Sequence, residues 1–325
     1  MNTMSHNQPN RREFLTLAAS AFAVAAVPFA VRRRAQLHTR SLPVMGTTAE
    51  ISVLHADARY AQDAMHAALR ELQRVELAMT RFSPASDIGR ANALAGRERV
   101  AISPETAFVL QSALAWAGTT NGGFDPALAR VVDLWDVKRR HIPPAQQQVQ
   151  RLAGRQLYRH IDVGERSVFV READALIDLG GIACGYGVDR AVAVLREWGI
   201  TNGYVNVGGD IYALGHNAEG EPWRVGVRSP DDAARLLTTI EFSDAAIATS
   251  GDYEQGFTFG GRRYHHIMDP GIAEPRITAT HTVTVVADRA IDADAASTAV
   301  FGLSRPVAER ILKLRAPSSR IVATG

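Results

Sequence analysis

The stretch IDADAASTA (291–299) sets Asp292, Asp294 and Thr298 among neighbours that are nearly all small and apolar. VTVVA (283–287) precedes it and VFGL (300–303) follows, so the carboxylates fall where the chain heads for a core. Alternating valines, then acids, then alanines predict a strand, a turn and the start of a helix. On that helix Asp294 and Thr298 are four residues apart and share a face. Two chemistries fit. Acids in a first helical turn satisfy free N–H groups and oppose the helix dipole. Oxygen ligands from Asp and Thr also suit a hard cation such as Mg²⁺.

Other segments carry polar groups at turns. DLGGIACGYGVD (178–189) reads as a glycine cluster between a strand and a helix, where backbone N–H groups can meet an anion. It is neither a dinucleotide fingerprint nor a Walker loop, since no G-x-G-x-x-G is present and Tyr186 stands where a Walker loop has Lys. A tight strand–helix connection explains the same glycines. HHIMDP (265–270) has adjacent histidines. In an extended segment they point to opposite faces, which disfavours zinc and leaves one as an acid, base or polar contact. TSGDY (249–253) and NGGFDP (121–126) place Asp252 and Asp125 in turns, where an acid can simply form the turn.

The elements that must position these groups come from periodicity. AEISVL (49–54) is a predicted strand, and residues 58–80 a helix with Met65, Leu69, Leu72, Val75 and Met79 at helical spacing. Residues 82–92 are turn-rich and expected as a loop, and 106–118 as a helix ending at Gly118. Residues 136–155, polar and interrupted by proline, read as a surface insertion. ALIDLGG (175–181) is expected as a strand leading into a helix at about 186–198. Strands are expected at 203–209, 222–230, 245–253, 262–270 and 281–288, and a last helix around 305–315. Strands and helices mix without regular βαβ alternation, which predicts an α+β fold with mixed or antiparallel sheets.

Net charge is +2, so no basic field points to nucleic acid. Residues 1–34 hold five Arg and one acid, leaving a near-neutral body. The single cysteine, Cys184, excludes an intrachain disulfide. NRREFLTLAASAFAVAAVPFAV (10–31), with Arg11 and Arg12 ahead of a modest apolar run, resembles a twin-arginine export signal. The run is short for a membrane span and contains Pro28. The expected organisation is a signal region at 1–34 and one domain at 35–325, exported to the periplasm by the twin-arginine machinery.

Taken in order, the motifs resemble the ApbE family, the FAD:protein FMN transferases. They are LPVMGTT (42–48), TRFSPASDIGRAN (80–92), NGGFDPAL (121–128), IDLGGIACGYGVDRA (177–191), YVNVGGDIYALG (204–215), WRVGVRSP (223–230), ATSGDYEQ (248–255), YHHIMDP (264–270) and ADAASTA (293–299). The resemblance implies an ApbE-like domain with the flavin nucleotide between its two halves. It implies FAD as substrate, Mg²⁺ as cofactor, transfer of FMN to a Thr or Ser hydroxyl of an acceptor protein, and release of AMP. Such acceptors belong to membrane or extracytoplasmic electron-transfer systems.

By the same resemblance Asp294, Thr298 and the Gly181 carbonyl are Mg²⁺ ligands. Met45, Phe82, Gly123, Phe124, Asp125, Asp178, Cys184 and Ile267 take positions that contact FAD, and His266 the position of the family's catalytic histidine. Asp292 is then expected either as an acid behind the metal ligands or, the favoured reading, as a helix cap. Three positions depart from the family pattern. Cys184 replaces a frequent Lys, Phe82 a frequent Tyr, and DPGIAEP (269–275) lacks the common Thr-Gly after Asp-Pro. A flavin carrier without transfer activity and an FAD pyrophosphatase are the alternative readings.

Overall fold

The computed structural model describes residues 22–24 and 35–325, less Asp231, Ala233 and Glu254. The expected export signal therefore lies outside the described residues, apart from the three-residue strand β1 (Phe22–Val24). β2 (Gln36–Val44) and β3 (Thr47–His55) form a hairpin ahead of the long helix α1 (Ala58–Met79). Then come α2 (Asp87–Ala93), β4 (Val100–Ala101), α3 (Pro104–Thr119), α4 (Ala129–Trp135), α5 (Gln146–Gln150), β5 (Ile161–Val163) and β6 (Ser167–Val170). The second half runs through α6 (Ala183–Glu197), β7 (Gly203–Val207), β8 (Asp210–Leu214), β9 (Trp223–Arg228), β10 (Leu236–Phe242) and β11 (Ala245–Gly251). β12 (Gly256–Phe259), β13 (Arg262–His265), β14 (Met268–Asp269), β15 (Glu274–Pro275), β16 (Thr282–Ala287), α7 (Ala290–Val300), α8 (Arg305–Arg315) and β17 (Arg320–Thr324) follow.

The main sheet has the order β17-β16-β11-β8-β7-β3-β2, and its neighbouring strands are antiparallel. This is the α+β arrangement expected from the irregular alternation of elements. Side chains alternate across the sheet with a period of two. Ala246 and Ala248 of β11 face α1 and α6, packing with Met65, Leu72 and Val188, while Ile247 faces Trp223, Val225 and Phe242 of β9 and β10. On α1 the stripe expected from spacing is buried as one face. Asp57 starts that helix, its Oδ1 accepting from Arg59 N at 2.8 Å and Tyr60 N at 3.1 Å.

Four expectations need correction. The turn-rich segment 82–92 is not all loop, because Ser86 Oγ accepts from Gly89 N at 2.8 Å and starts α2. Seven residues are too few to show a helical period. Residues 136–155 are not only surface, since Val149 and Leu152 pack on Trp135, Tyr264 and Met268. Residues 175–181 are not a strand. Their backbone is held by a side chain instead of a ladder: Ile177 N donates to Asn92 Oδ1 at 2.7 Å and Asn92 Nδ2 donates to Ile177 O at 2.9 Å. Helix α6 accordingly begins at Ala183, so Cys184 and Gly185 belong to its first turn. Last, Asp292 is not the cap of α7. Asp189, on α6, accepts from Ala290 N at 2.7 Å and Ile291 N at 3.1 Å.

Helices α6 and α7 touch at Gly185. A Cβ there would lie 2.3 Å from Ala290 O and 2.8 Å from Asp294 Cβ. Both obstacles are stiff, so a side chain cannot be accommodated without moving a helix. Gly185→Ala is expected to lower unfolding free energy by about 1–3 kcal/mol in urea denaturation. A stability equal to that of the unaltered protein would show that the helices are not in this contact.

Candidate functional site

The polar face of α7 is the centre of the site. Asp294 is buried, with 6% of its surface exposed. Its Oδ2 accepts from Gly185 N at 2.9 Å, and it hydrogen-bonds to Asp210 at the start of β8. Burial raises the pKa of both carboxyls, and the neighbouring Asp294 charge raises Asp210 further. Two carboxyls in hydrogen-bond contact need a proton between them, and the pair shares one. One turn further along, Thr298 Oγ1 lies 3.2 Å from Ser250 Oγ, which also meets Ser297 Oγ at 2.8 Å. Gly181 completes the group, since a Cβ on it would stand 3.3 Å from both Thr298 Oγ1 and Phe124 Cε2. The three residues expected to share a cation thus lie along the contact between α7 and the segment that opens α6.

Those donors are a carboxylate, a hydroxyl and a backbone carbonyl. Among the described residues no group of three or more His, Cys, Asp or Glu could hold a metal. A cation here would rest on one or two carboxyls with neutral oxygens around them. This set fits Mg²⁺, which takes few carboxylates and completes its shell with water and substrate phosphates.

The loops around α7 carry several of the other residues singled out in the sequence. Gly123, Phe124 and Asp125 lie between α3 and α4. Asp125 is both a turn former and a bridge: it accepts from Ala127 N at 2.8 Å and from Tyr158 N at 3.2 Å. Burial raises its pKa to about 6. Arg276 ties this loop to α7, donating to Gly123 O at 2.7 Å and to Phe301 O at 2.5 Å. Asp178 accepts from Gly180 N at 2.8 Å and pairs with Arg81 Nε at 2.9 Å. Arg81 in turn lies 4.3 Å over the ring of Phe82, which is 80% exposed. Phe82 and Asp178 are therefore joined through one guanidinium, and the aromatic ring is left open to solvent.

The strand expected at 262–270 is broken at His266, a bend between β13 and β14, and the two histidines have different neighbours. His265 Nε2 is 2.8 Å from Arg276 O, its Nδ1 accepts from Ile267 N at 3.2 Å, and its ring stands edge-on to Phe301 at 5.8 Å. His266 is half-buried, and its Nδ1 is buried with no hydrogen-bond partner. Burial, with a smaller contribution from His265, pushes its pKa down to about 4. An orphaned buried nitrogen is a group waiting for a partner.

Met45 occupies the left-handed region at φ 56° in the β2–β3 turn, and its N–H donates to Glu76 Oε1 at 2.8 Å. Such a conformation costs energy that the surroundings must hold in place. Its Sδ lies 3.0 Å from where a Cβ on Gly187 would be, so Met45 meets α6. Cys184, one turn earlier, packs on the α1–α6 core. Burial holds its thiol well above the usual range, with the charges of Asp210, Asp294 and Glu76 adding to that, so it is neutral.

Asp210, Ser250, Asp189 and Arg276 escaped sequence reasoning. Asp210 had a signal, because it follows Gly208 and Gly209, both at positive φ, in a turn that aims it inward. Arg276 had none. The loop that departs from the family pattern keeps a left-handed residue all the same, with Ala273 at φ 53° and its carbonyl accepting from Trp135 Nε1 at 2.7 Å.

The ApbE family model matches residues 45–321. The FAD:protein FMN transferase of Treponema pallidum is 32% identical over 293 residues, covering 84% of this chain and 80% of the relative. That of Vibrio cholerae is 31% identical over 274 residues, covering 82% and 81%. Among solved structures, the ApbE protein of Thermotoga maritima superposes with a TM-score of 0.78 at 28% identity, covering 89% of this chain and 96% of the other. The flavin transferase ApbE from Vibrio cholerae gives 0.76 at 29% identity, covering 86% and 91%. With the motifs in the expected order and the match spanning most of its length, the chain belongs to the ApbE family.

Proposed function

We propose that the chain is a Mg²⁺-dependent FAD:protein FMN transferase that moves FMN onto a Thr or Ser hydroxyl of an acceptor protein and releases AMP. The observation that carries this reading is the packing of Gly181 against Thr298, one helical turn from the buried Asp294. The transferases named among the relatives support the reaction class. Asp294, Thr298 and the Gly181 carbonyl would hold Mg²⁺, whose chemistry there is to polarise a phosphoryl oxygen and neutralise charge on departing AMP.

The chain's own residues do the rest. Arg276 braces the Gly123 loop against the end of α7, fixing the flavin-side turn relative to the metal face. Glycine at 181 leaves the backbone open to close approach. Burial holds His266 neutral, so its imidazole is in the form that can accept the acceptor hydroxyl's proton or orient the reacting oxygens. Asp178, with Arg81 and Phe82, forms the outer edge. The acceptor is expected in a membrane or extracytoplasmic electron-transfer system, reached after export of the chain to the periplasm. Among the described residues no helix is long and apolar enough to cross a membrane.

The test is an incubation of the protein with FAD, Mg²⁺ and an acceptor fragment, read by intact mass. An acceptor heavier by one FMN, with AMP released, is expected. Intact FAD and an unmodified acceptor would favour a flavin carrier, and free FMN with AMP a pyrophosphatase. Asp294→Ala is expected to reduce transfer by on the order of 10²-fold or more, the loss of several kcal/mol of charge stabilisation. Unchanged turnover in that variant would remove Asp294 from the metal site.

A second expectation concerns stability. His266 has a folded pKa of about 4, below the unfolded value near 6.5. In that window the unfolded chain binds the proton and the folded chain does not, so this group's contribution falls as pH drops from about 6.5 toward 4. Asp125 and Asp189, both raised to about 6, act with the opposite sign and remain in either protein. Urea unfolding over this range is expected to show the unaltered protein losing stability relative to His266→Gln as pH falls. Parallel profiles would show that the imidazole is not held neutral.

A further inference from the structure

One segment carries charge that neither the fold nor the proposed chemistry uses. Residues 136–155 hold five basic residues and one acid, a net of +4 in a chain whose total is +2. Residues 1–34 carry +4 as well, so everything else sums to −6. Within the segment the charge is concentrated in Lys138, Arg139 and Arg140, followed directly by His141 and Ile142. A run of cations on an otherwise acidic body makes a directed field, which turns this face toward an anionic surface.

The fold presents this run instead of burying it. α4 ends in Asp136 at φ 32°, and Arg139 N and Arg140 N both donate to the Asp136 carbonyl at 2.9 Å, closing a tight turn. Val137 on one side and Pro144 on the other are buried, so the loop between them is pinned at both ends. Lys138, Arg139 and His141 are exposed. Arg139, with 87% of its side chain exposed, meets Asp136 Oδ2 only at 4.0 Å. Among the described residues Lys138 and Arg140 have no ion pair. Arg151 is exposed too, whereas Arg155 is neutralised by Glu172 and Asp174. At the end of the run Ile142 leaves 59% of its surface in solvent.

The loop stands on the side of the candidate site, since Lys138 is near enough to His266 for its charge to oppose protonation of the imidazole. Exposed cations suit an acidic protein or a lipid headgroup alike, and the aliphatic residue beside them decides between the two. A protein face rich in carboxylates has no place for Ile142. A headgroup layer takes cations at its phosphates and an apolar side chain just beneath them. We propose that the loop 138–142 docks the protein on an anionic lipid surface, with Lys138, Arg139 and Arg140 at the headgroups and Ile142 inserted below. The site then opens toward the membrane, where an acceptor held in the bilayer presents its hydroxyl.

The test mixes the full chain with phosphatidylglycerol–phosphatidylcholine vesicles in the absence of FAD, so it is decided separately from the transferase reading. Ile142→Cys carrying an environment-sensitive dye reports on the loop itself, because Cys184 packs on the α1–α6 core with a neutral thiol and takes no label. The emission is expected to shift to the blue on the anionic vesicles, to stay unchanged on pure phosphatidylcholine, and to return at high salt. In the labelled chain, Lys138→Gln, Arg139→Gln and Arg140→Gln together are expected to raise the lipid concentration needed for half of the shift by about 10²-fold, with the melting temperature unchanged. A protein that sediments with the vesicles while the dye does not shift would place the contact in the basic residues 1–34 and overturn the assignment. So would a shift that the three neutralised positions leave as it was. If the vesicles are ignored but an acceptor fragment binds the neutralised chain more weakly, the loop is a protein-docking surface and the lipid reading falls.

Discussion

The site depends on one close approach, the Gly185 N–H donating to the buried carboxyl of Asp294 at 2.9 Å. A carboxyl taken out of water needs hydrogen bonds to remain there. Gly185 supplies one, and Asp210 supplies another from the edge of β8. Only glycine permits it, because a side chain at 185 would collide with the Ala290 carbonyl. The same helix holds α7 a second time, since Asp189 caps its first N–H groups. One turn of α6 therefore sets where α7 starts, and another sets where its acid points. The segment just before α6 brings Gly181 against Thr298. Position along α6 thus becomes position along the candidate metal face.

This explains which parts were readable beforehand. The α1 stripe, the strand at 245–251 and the helix at 305–315 follow from local period, and the structure keeps them. Asp294 and Thr298 were legible as a pair because helical spacing is itself local. What could not be read was anything set by a distant partner. Nothing in 175–181 announces that Asn92 will satisfy its backbone, so a run that looked like a strand is an irregular segment. Nothing near Asp292 tells that Asp189 has taken the cap, 101 residues away in sequence. Arg276 follows an Asp-Pro loop that departs from its family pattern, and its partners Gly123 and Phe301 lie far off in the chain. Motif order identified the family; only tertiary contacts show how the motifs meet.

The electrostatics of the site run against free charge. Burial raises Asp125 and Asp189 to about 6, raises the Asp210–Asp294 pair and the Cys184 thiol, and lowers His266 to about 4. Acids go up and the base goes down, which is the mark of desolvation and not of a local counter-ion. A dry, charge-poor site strengthens every dipole aimed into it. It also penalises an anion that arrives without a counter-charge. Cys184 fits that environment. A lysine at the same place would add a charge beside Asp210 and Asp294, whereas the neutral thiol adds none.

The position of the site in the sheet also has a reason. β11 and β16 are antiparallel neighbours joined through the β12–β15 region, and α7 doubles back directly after β16. The C-terminal end of α7 must then return to the edge where β11 ends and β16 begins. Backbone polar groups at strand ends need side-chain or loop partners, so such an edge accumulates polar residues that a sheet interior would reject. Ser250 and Asp252 from one strand, His281 ahead of the other, and Thr298 from the helix collect there for that reason. Hydroxyl, carboxylate and imidazole are brought to one margin by connectivity, while the apolar alternation of the same strands keeps Ala248 and Val285 in the core behind them.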